Sequence, residues 1–597
     1  MYRTLAVSSG SPGVKVLYLR GLGNHRCGHG TEEYNAKMVR KEQKPGRKSK
    51  SQPRPVSSLL KRRAEKVSTV HRQAVTYLEA GLPGEARRIC EAFLQRYPRH
   101  AGILNLGGVA CFQCGEGSRG IQMLEAALVE DPEFTDAFNN LGNVFKALGR
   151  LAEAEQQYRQ AIEIDHYHAD AHFNLAMVIE IGGRLAEAEE AYRTVLNIQP
   201  GFVPAYQGLG NVLKILGRLD ESLAVHNQLL ALAPGHVDGH NNRGTVLFEM
   251  SSLDAALKAY SEALSLQPGH ADAAYNSGVA LQEMGRFDEA IRYYRQALEA
   301  RPGYVEVHVN LGYALHQTGK IDEAQVAYEN AIKLAPDHAQ AHVNLGDLYL
   351  DQEDLGSAGA LCDRYLDAHP GDSALLAFKS IVLDELGNGD AMRKLVDYTS
   401  MVQPVSLEDQ VGATALRNLN SILADHICAH PSLAVAPTSH TTRKGKHTGE
   451  LLTGDPGPIA ELEPLLRGAI EAFCAELPVA ADHPFAIRRP SDYWLSLWAV
   501  VLNAQGHQVP HIHPSAWLSG VYYVEVPEIV SGSDDHAGWI EFGSRPQHFH
   551  ARSDPAVRCF EPKEGLLLLF PSYIYHRTVP YGAEQRRISM AFDVIPA

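Results

Sequence analysis

The residues best suited to chemistry lie within the last ninety of 597. His511-Ile512-His513 sets two imidazoles at i and i+2, which share one face of an extended strand. His576 follows 63 residues after His513, just beyond the apolar run Leu566 to Phe570 and Pro571. Eleven residues later, Arg587-Ile588-Ser589 repeats the i, i+2 spacing. Neutral imidazoles bind a metal such as Fe(II) and leave open positions for oxygen and a chelating acid. Arg587 would grip the far carboxylate of that acid with a two-pronged charge-assisted bond, and Ser589 would add a hydroxyl. The set reads as a metal centre with an anionic cosubstrate.

Elements of matching period surround these residues. From Tyr493 the chain breaks into short β-rich segments: 493–503, 509–513, 517–526, 538–543, 566–570, 574–579 and 587–594. Such spacing predicts an antiparallel sandwich or jelly roll. A jelly roll would bring the His pair and His576 to one mouth, with the Arg/Ser pair slightly deeper on a neighbouring strand. Residues 412–430 and 460–476 read as helices, and the polar stretch from Thr441 to Lys446 between them as a loop.

Upstream, self-similarity recurs every 34 residues. Nine blocks, beginning at Val67, Ala101, Thr135, Ala169, Val203, Val237, Ala271, Val305 and Ala339, fill 67–372 without an indel. Position 8 is Gly or Ala throughout, expected where two helices of a hairpin approach closely. Position 32 is Pro in eight blocks, which stops the second helix. A tenth block, 373–406, lacks that Pro, as a capping repeat would. The array resembles tetratricopeptide-repeat (TPR) proteins. Position 6 is Asn140, Asn174, Asn242, Asn276, Asn310 and Asn344 in six blocks. In TPR superhelices it faces the concave groove, so the resemblance implies an amide ladder for an extended peptide.

A second resemblance covers about 412–597. The stretch His511-Ile-His-Pro-Ser-Ala-Trp-Leu-Ser-Gly-Val-Tyr-Tyr523, the strand to Phe570-Pro571, His576, and Arg587-Ile-Ser-Met-Ala-Phe592 resemble the 2-oxoglutarate/Fe(II)-dependent oxygenases, in the branch with the HxHPxxxxSGVYY signature. The resemblance implies His511 and His576 as iron ligands, Arg587 and Ser589 as anchors of 2-oxoglutarate, and Tyr522 or Tyr523 lining the pocket. The wider superfamily places an acid where this chain has His513. Three readings follow: a three-His iron site of altered charge, a carboxylate from elsewhere such as Glu525 or Asp535, or a silent domain. Cupins also use His-x-His, but the Glu expected four residues later is Trp517 here.

The expected architecture is therefore multidomain. A flexible, partly basic tail (1–66) precedes an all-α TPR superhelix of nine repeats (67–372) and a capping repeat (373–406). A mainly-β jelly roll (double-stranded β-helix) with flanking helices (407–597, β core about 493–597) follows. The expected function is an Fe(II)/2-oxoglutarate dioxygenase hydroxylating a peptide or protein held in the TPR groove. The alternatives are an interaction scaffold with a silent jelly roll, or a cupin-like metalloenzyme without 2-oxoglutarate. The formal charge of −15 disfavours nucleic acid. No apolar run reaches the ~18 residues of a membrane span, and eight scattered Cys suit a reducing cytoplasm. Cys111 and Cys114 read as helix-packing thiols, and His507, His536, His548 and His550 as solvated loop histidines. Met38 is an alternative start to Met1.

Overall fold

A computed structural model describes residues 56–436, 441–477, 479–582 and 585–597. Residues 1–55 of the expected flexible tail (1–66) lie outside the described residues, whereas 56–66 belong to the helix Val56–Glu79 and are not a flexible segment. The chain divides into two compact units between Met284 and Gly285.

In the first unit, helices of 13 residues begin at Ala101, Thr135, Ala169, Val203, Val237 and Ala271, each at the start of a 34-residue block. Each block from Ala101 to the one at Val237 adds a 14-residue partner helix. The turn between the two passes through a left-handed residue, Gly149, Gly183 and Gly217 at φ 74°, a conformation glycine adopts without a Cβ clash. Histidines start several helices: Nδ1 of His168, His236 and His270 accepts from the backbone N–H three residues on, which satisfies one orphan donor of the first turn.

The small residue at position 8 serves a different contact from the one expected. A Cβ on Gly142 or Gly244 would lie 2.5 Å from the ring of Tyr158 or Tyr260 in the partner helix. The ring, rather than the opposing backbone, occupies the space. Around Gly108 the backbones themselves close in, with Gly120 O at 2.9 Å. Ala176 replaces Gly in its block, and there Tyr192 lies instead against Gly208.

The Asn ladder also takes a second use. Nδ2 of Asn140, Asn174 and Asn276 donates at 3.0 Å to Oδ1 of Asn105, Asn139 and Asn241 in the preceding block. Asn242 reaches Asn211 at 3.4 Å. All four are buried, whereas Asn310 and Asn344 in the second unit are half-buried. Cys111 is buried with its Sγ 3.6 Å from Met123 Sδ, and burial pushes its thiol up to about 11, as for a packing residue.

The second unit carries the remaining repeats and the β domain. Strands, numbered along the chain, are β1 (Gln403–Ser406), β2 (Ala434–Val435), β3 (Thr442–His447), β4 (Tyr493–Gln508), β5 (Leu518–Glu525), β6 (Ile540–Phe542), β7 (Arg558–Phe560), β8 (Leu566–Pro571), β9 (His576–Thr578) and β10 (Arg587–Pro596). They form an antiparallel sheet ordered β1-β8-β5-β10-β4-β3-β2 and a smaller one ordered β7-β6-β9. From β7 to β10 successive strands alternate between the two sheets, as they do in a double-stranded β-helix. Several segments differ from expectation, among them β2 and β7, which no expected strand covers. Residues 509–513 contribute one bridge, His511 to His576, rather than a strand. The supposed loop from Thr441 is β3, paired with β4. The last four residues of the tenth block are β1, which pairs with the apolar strand β8.

Because side chains alternate across a strand, Ile588, Met590 and Phe592 face away from Arg587, Ser589, Ala591 and Asp593. The first three join one apolar core with Leu416, Leu419 and Ile427 of the helix Ala413–Ala429. Gly520 in the signature stretch is explained here: a Cβ would lie 2.2 Å from Phe592 Cζ.

Candidate metal and anion site

The bridge between His511 and His576 holds two of the three predicted histidines face to face. Each backbone N–H donates to the other residue's carbonyl, at 3.0 and 3.1 Å. His513 sits in the turn that follows, its N–H bonded to Ser572 O. One donor atom from each of the three rings lies within 4.8 Å of the others. Ring centroids are 4.2 Å apart for His511 and His576, and 5.2 Å from His513 to either.

What aims the rings is on their outer sides. Nδ1 of His511 donates to Val509 O at 2.8 Å, and Nδ1 of His576 to Ile574 O at 3.0 Å. A carbonyl only accepts, so these bonds fix the Nδ1–H tautomer and leave Nε2 with its lone pair. Burial pushes His511 down to about 3, with His513 adding to the effect. Burial likewise holds His576 well below the usual range. Neutral imidazoles are the form a metal binds.

His513 is held differently. Its Nδ1 lies 2.8 and 2.9 Å from the two oxygens of Asp593, which also accepts from Ser519 Oγ at 2.6 Å. Its Nε2 is buried with no hydrogen-bond partner. A carboxylate behind a ligating imidazole orients the ring and raises its basicity. Neither carboxylate considered from sequence takes part. Glu525 is bonded to Arg586 Nε at 2.8 and 3.0 Å. Asp535 caps its own exposed turn through Ser533 and the Ala537 N–H.

Arg587, Ser589 and Tyr523 line the same cleft as the three histidines. Register explains the choice between the tyrosines: Ser589 pairs with Tyr523, whereas Tyr522 faces the opposite side and donates to Asn420 Oδ1 at 2.5 Å. Arg587 is 2 % exposed, yet its Nε and Nη1 have no hydrogen-bond partner among the described residues. Its Cζ lies 5.1 Å from the Tyr523 ring centroid. A buried guanidinium with unmet donors asks for an anion. The residues present therefore fit a metal ion beside an anionic ligand.

Asp593 was not singled out from sequence. Its signal was period two: Arg587, Ser589, Ala591 and Asp593 fall on one face of β10.

Residues 496–593 match the family described as "Putative 2OG-Fe(II) oxygenase". Tetratricopeptide-repeat matches cover stretches between residues 115 and 373. Solved structures with similar repeats include YrrB, "a TPR protein with an unusual peptide-binding site" (23% identity over 33% of this chain and 97% of that one, TM-score 0.28). MamA is similar at 23% identity over 29% and 94% (TM-score 0.26). The APC/C hetero-tetramer Cut9-Hcn1 is similar at 19% over 48% and 59% (TM-score 0.37). No curated protein matches. Among the described residues no helix is long and apolar enough to cross a membrane.

Proposed function

We propose that this chain, which carries tetratricopeptide repeats and a C-terminal 2OG-Fe(II) oxygenase domain, is a dioxygenase that consumes 2-oxoglutarate and hydroxylates a bound peptide or protein. The observation that carries the reading is the pairing of three oriented, converging imidazoles with a buried, unsatisfied Arg587. His511, His513 and His576 would hold Fe(II), and Arg587 with Ser589 would bind the distal carboxylate of 2-oxoglutarate. Dioxygen would be the oxidant, and bound Fe(II) with 2-oxoglutarate would supply the chemistry that reduces it, one oxygen atom leaving in succinate with loss of CO2 and the other in the hydroxylated product. The chain's own part is orientation and exclusion of water.

In this reading His513 and Asp593 together stand for the usual acidic ligand. The negative charge sits one bond network further out, delivered through the imidazole. Asp593→Asn keeps an acceptor for Nδ1–H and removes only the charge. We expect Fe(II) affinity to fall about 10- to 100-fold with the fold intact, read by anaerobic metal titration and circular dichroism. An unchanged affinity would assign Asp593 a purely structural task.

The repeats are the substrate-binding arm of this proposal. The buried Asn140, Asn174, Asn242 and Asn276 register one repeat on the next, and the half-buried Asn310 and Asn344 are assigned to ligand contact.

The full-length protein decides the matter. Under anaerobic conditions with Fe(II), calorimetry should show 2-oxoglutarate binding that depends on the metal. In air, succinate should form as 2-oxoglutarate is consumed. Metal binding without 2-oxoglutarate binding would favour the cupin-like alternative, and neither signal would favour the scaffold.

A further inference from the structure

His550 does not behave as a solvated loop histidine. It belongs to the strap 543–557 between β6 and β7, and its N–H and Nδ1 lie 2.8 and 2.9 Å from the two oxygens of Asp347. Asp347 is on the repeat helix Ala339–Asp351. His316, from the preceding repeat helix Val305–Gln317, brings a second imidazole whose centroid is 4.6 Å from that of His550. One donor atom from each of His316, Asp347 and His550 lies within 4.8 Å of the others. Asp351, one turn beyond Asp347, reaches His316 Nε2 at 3.2 Å.

Charge makes this more than a hydrogen-bonded cluster. Among the described residues, Asp347 and Asp351 pair only with His550 and His316, never with Lys or Arg. Asp347 is 7 % exposed and His316 likewise 7 %. With neutral imidazoles, two carboxylates at i and i+4 repel each other, one of them out of water. Protonating one ring pairs one carboxylate and leaves the other uncompensated, and protonating both sets two cationic rings with centroids 4.6 Å apart. One divalent cation resolves both conflicts.

We propose that His316, Asp347 and His550 form a second metal site, suited to Zn2+, which pins the strap to the last repeats. Two imidazoles and a carboxylate are a zinc donor set. Donors of a tetrahedral ion with bonds of ~2.0–2.1 Å sit about 3.3 Å apart. Closing the present cluster therefore needs side-chain shifts of about an ångström. The strap is already registered by Glu385, which accepts from the N–H of Arg552 and Ser553 at 2.8 and 2.7 Å and pairs with Arg545. Its Phe549 packs between Phe378 and Tyr575, the residue before His576. A metal here would thus act on the first site only indirectly, through Phe549 and the Tyr575 that precedes His576.

The two sites separate by mutation. A His511→Ala/His576→Ala chain, stripped of metal and titrated with Zn2+, should still bind one equivalent. Adding His550→Ala, or Asp347→Asn as a size-preserving change, should abolish that equivalent. Substituting Co2+ should give the intense visible absorption of a tetrahedral site in the first protein and not in the second. Absence of Zn2+ binding in the His511→Ala/His576→Ala chain, or a full equivalent retained after His550→Ala and Asp347→Asn, would overturn the proposal.

Discussion

Replacing Arg587 by methionine is expected to weaken 2-oxoglutarate binding by about two to three orders of magnitude while making the ligand-free protein more stable. Both effects come from one observation. The guanidinium is 2 % exposed, and two of its three nitrogens have no hydrogen-bond partner among the described residues. Transfer of a charge out of water without a counter-ion is costly, and the face of Tyr523, 5.1 Å away, offsets only part of it. Exchanging such a group for an apolar one of similar volume stabilises by about 1–4 kcal/mol in comparable cases. A bound carboxylate removes the penalty through paired charge-assisted bonds, and truncating one partner of such a pair costs about 2–5 kcal/mol. Methionine is long and flexible enough to fill the space. Calorimetry should therefore show the loss in 2-oxoglutarate affinity with metal affinity retained, and thermal unfolding without ligand should move upward. Unchanged 2-oxoglutarate affinity would place the anion elsewhere, and a lowered melting temperature would make Arg587 a structural residue.

Arg587 and its partners also show which parts of this site sequence could reach. Period two on β10 selected Arg587 and Ser589, because alternation ties spacing directly to a face. The i, i+2 spacing also selected His511 and His513, although 509–513 is a single bridge and a turn rather than a strand. The choice between Tyr522 and Tyr523 needed the register of β5 on β10, which pairs Ser589 with Tyr523. Asp593 was on the right face but had no recognised companion until the turn after β4 brought His513 to it. That contact spans 80 residues, and no local pattern encodes it. The same limit applies to His550 and Asp347, which are 203 residues apart.

In the repeats the reverse holds. A 34-residue period located the first helix of every block from Ala101 to Ala339, since Pro and Gly punctuate the chain locally, but not that of the first block, where the helix across Val67 begins at Val56. The partners of the conserved-looking positions were another matter. Asn140 reaches Asn105 in the previous repeat, and Gly142 accommodates a tyrosine ring rather than a helix backbone. Both are contacts between elements, invisible to a motif that describes one element at a time. The strand β3 was missed because its residues are polar and its pairing with β4, not its composition, makes it a strand.

His226 departs from that repeat pattern, and it carries the second large expected effect. The ring seated on the position-8 glycine is Tyr158, Tyr260 and Tyr328 in other blocks, but His226 lies against Gly210, with Nε2 2.5 Å from where a Cβ would be. It is fully buried, and among the described residues neither ring nitrogen has a hydrogen-bond partner. Burial, with smaller contributions from Lys214, His236 and Arg243, pushes it down to about 4 from 6.5. The sign follows from which state binds the proton. Above pH 6.5 the imidazole is neutral both folded and unfolded, so pH has no leverage through it. Between 6.5 and about 4 the unfolded chain takes up a proton that the folded chain refuses, and stability falls as pH falls. The loss is about 2 kcal/mol at pH 5 and about 3 kcal/mol once the pH is below 4. His226→Tyr should remove it, because Tyr158 donates to Asn143 at 2.8 Å and Asn211 holds the corresponding position for a tyrosine at 226. Urea unfolding of both proteins at pH 7.5 and pH 5.0 isolates the effect, since every other titrating group is common to the pair. The variant should lose less stability than the parent on acidification, by about the 2 kcal/mol above. Equal losses would mean that His226 is already protonated in the fold, or that an acceptor reaches its ring.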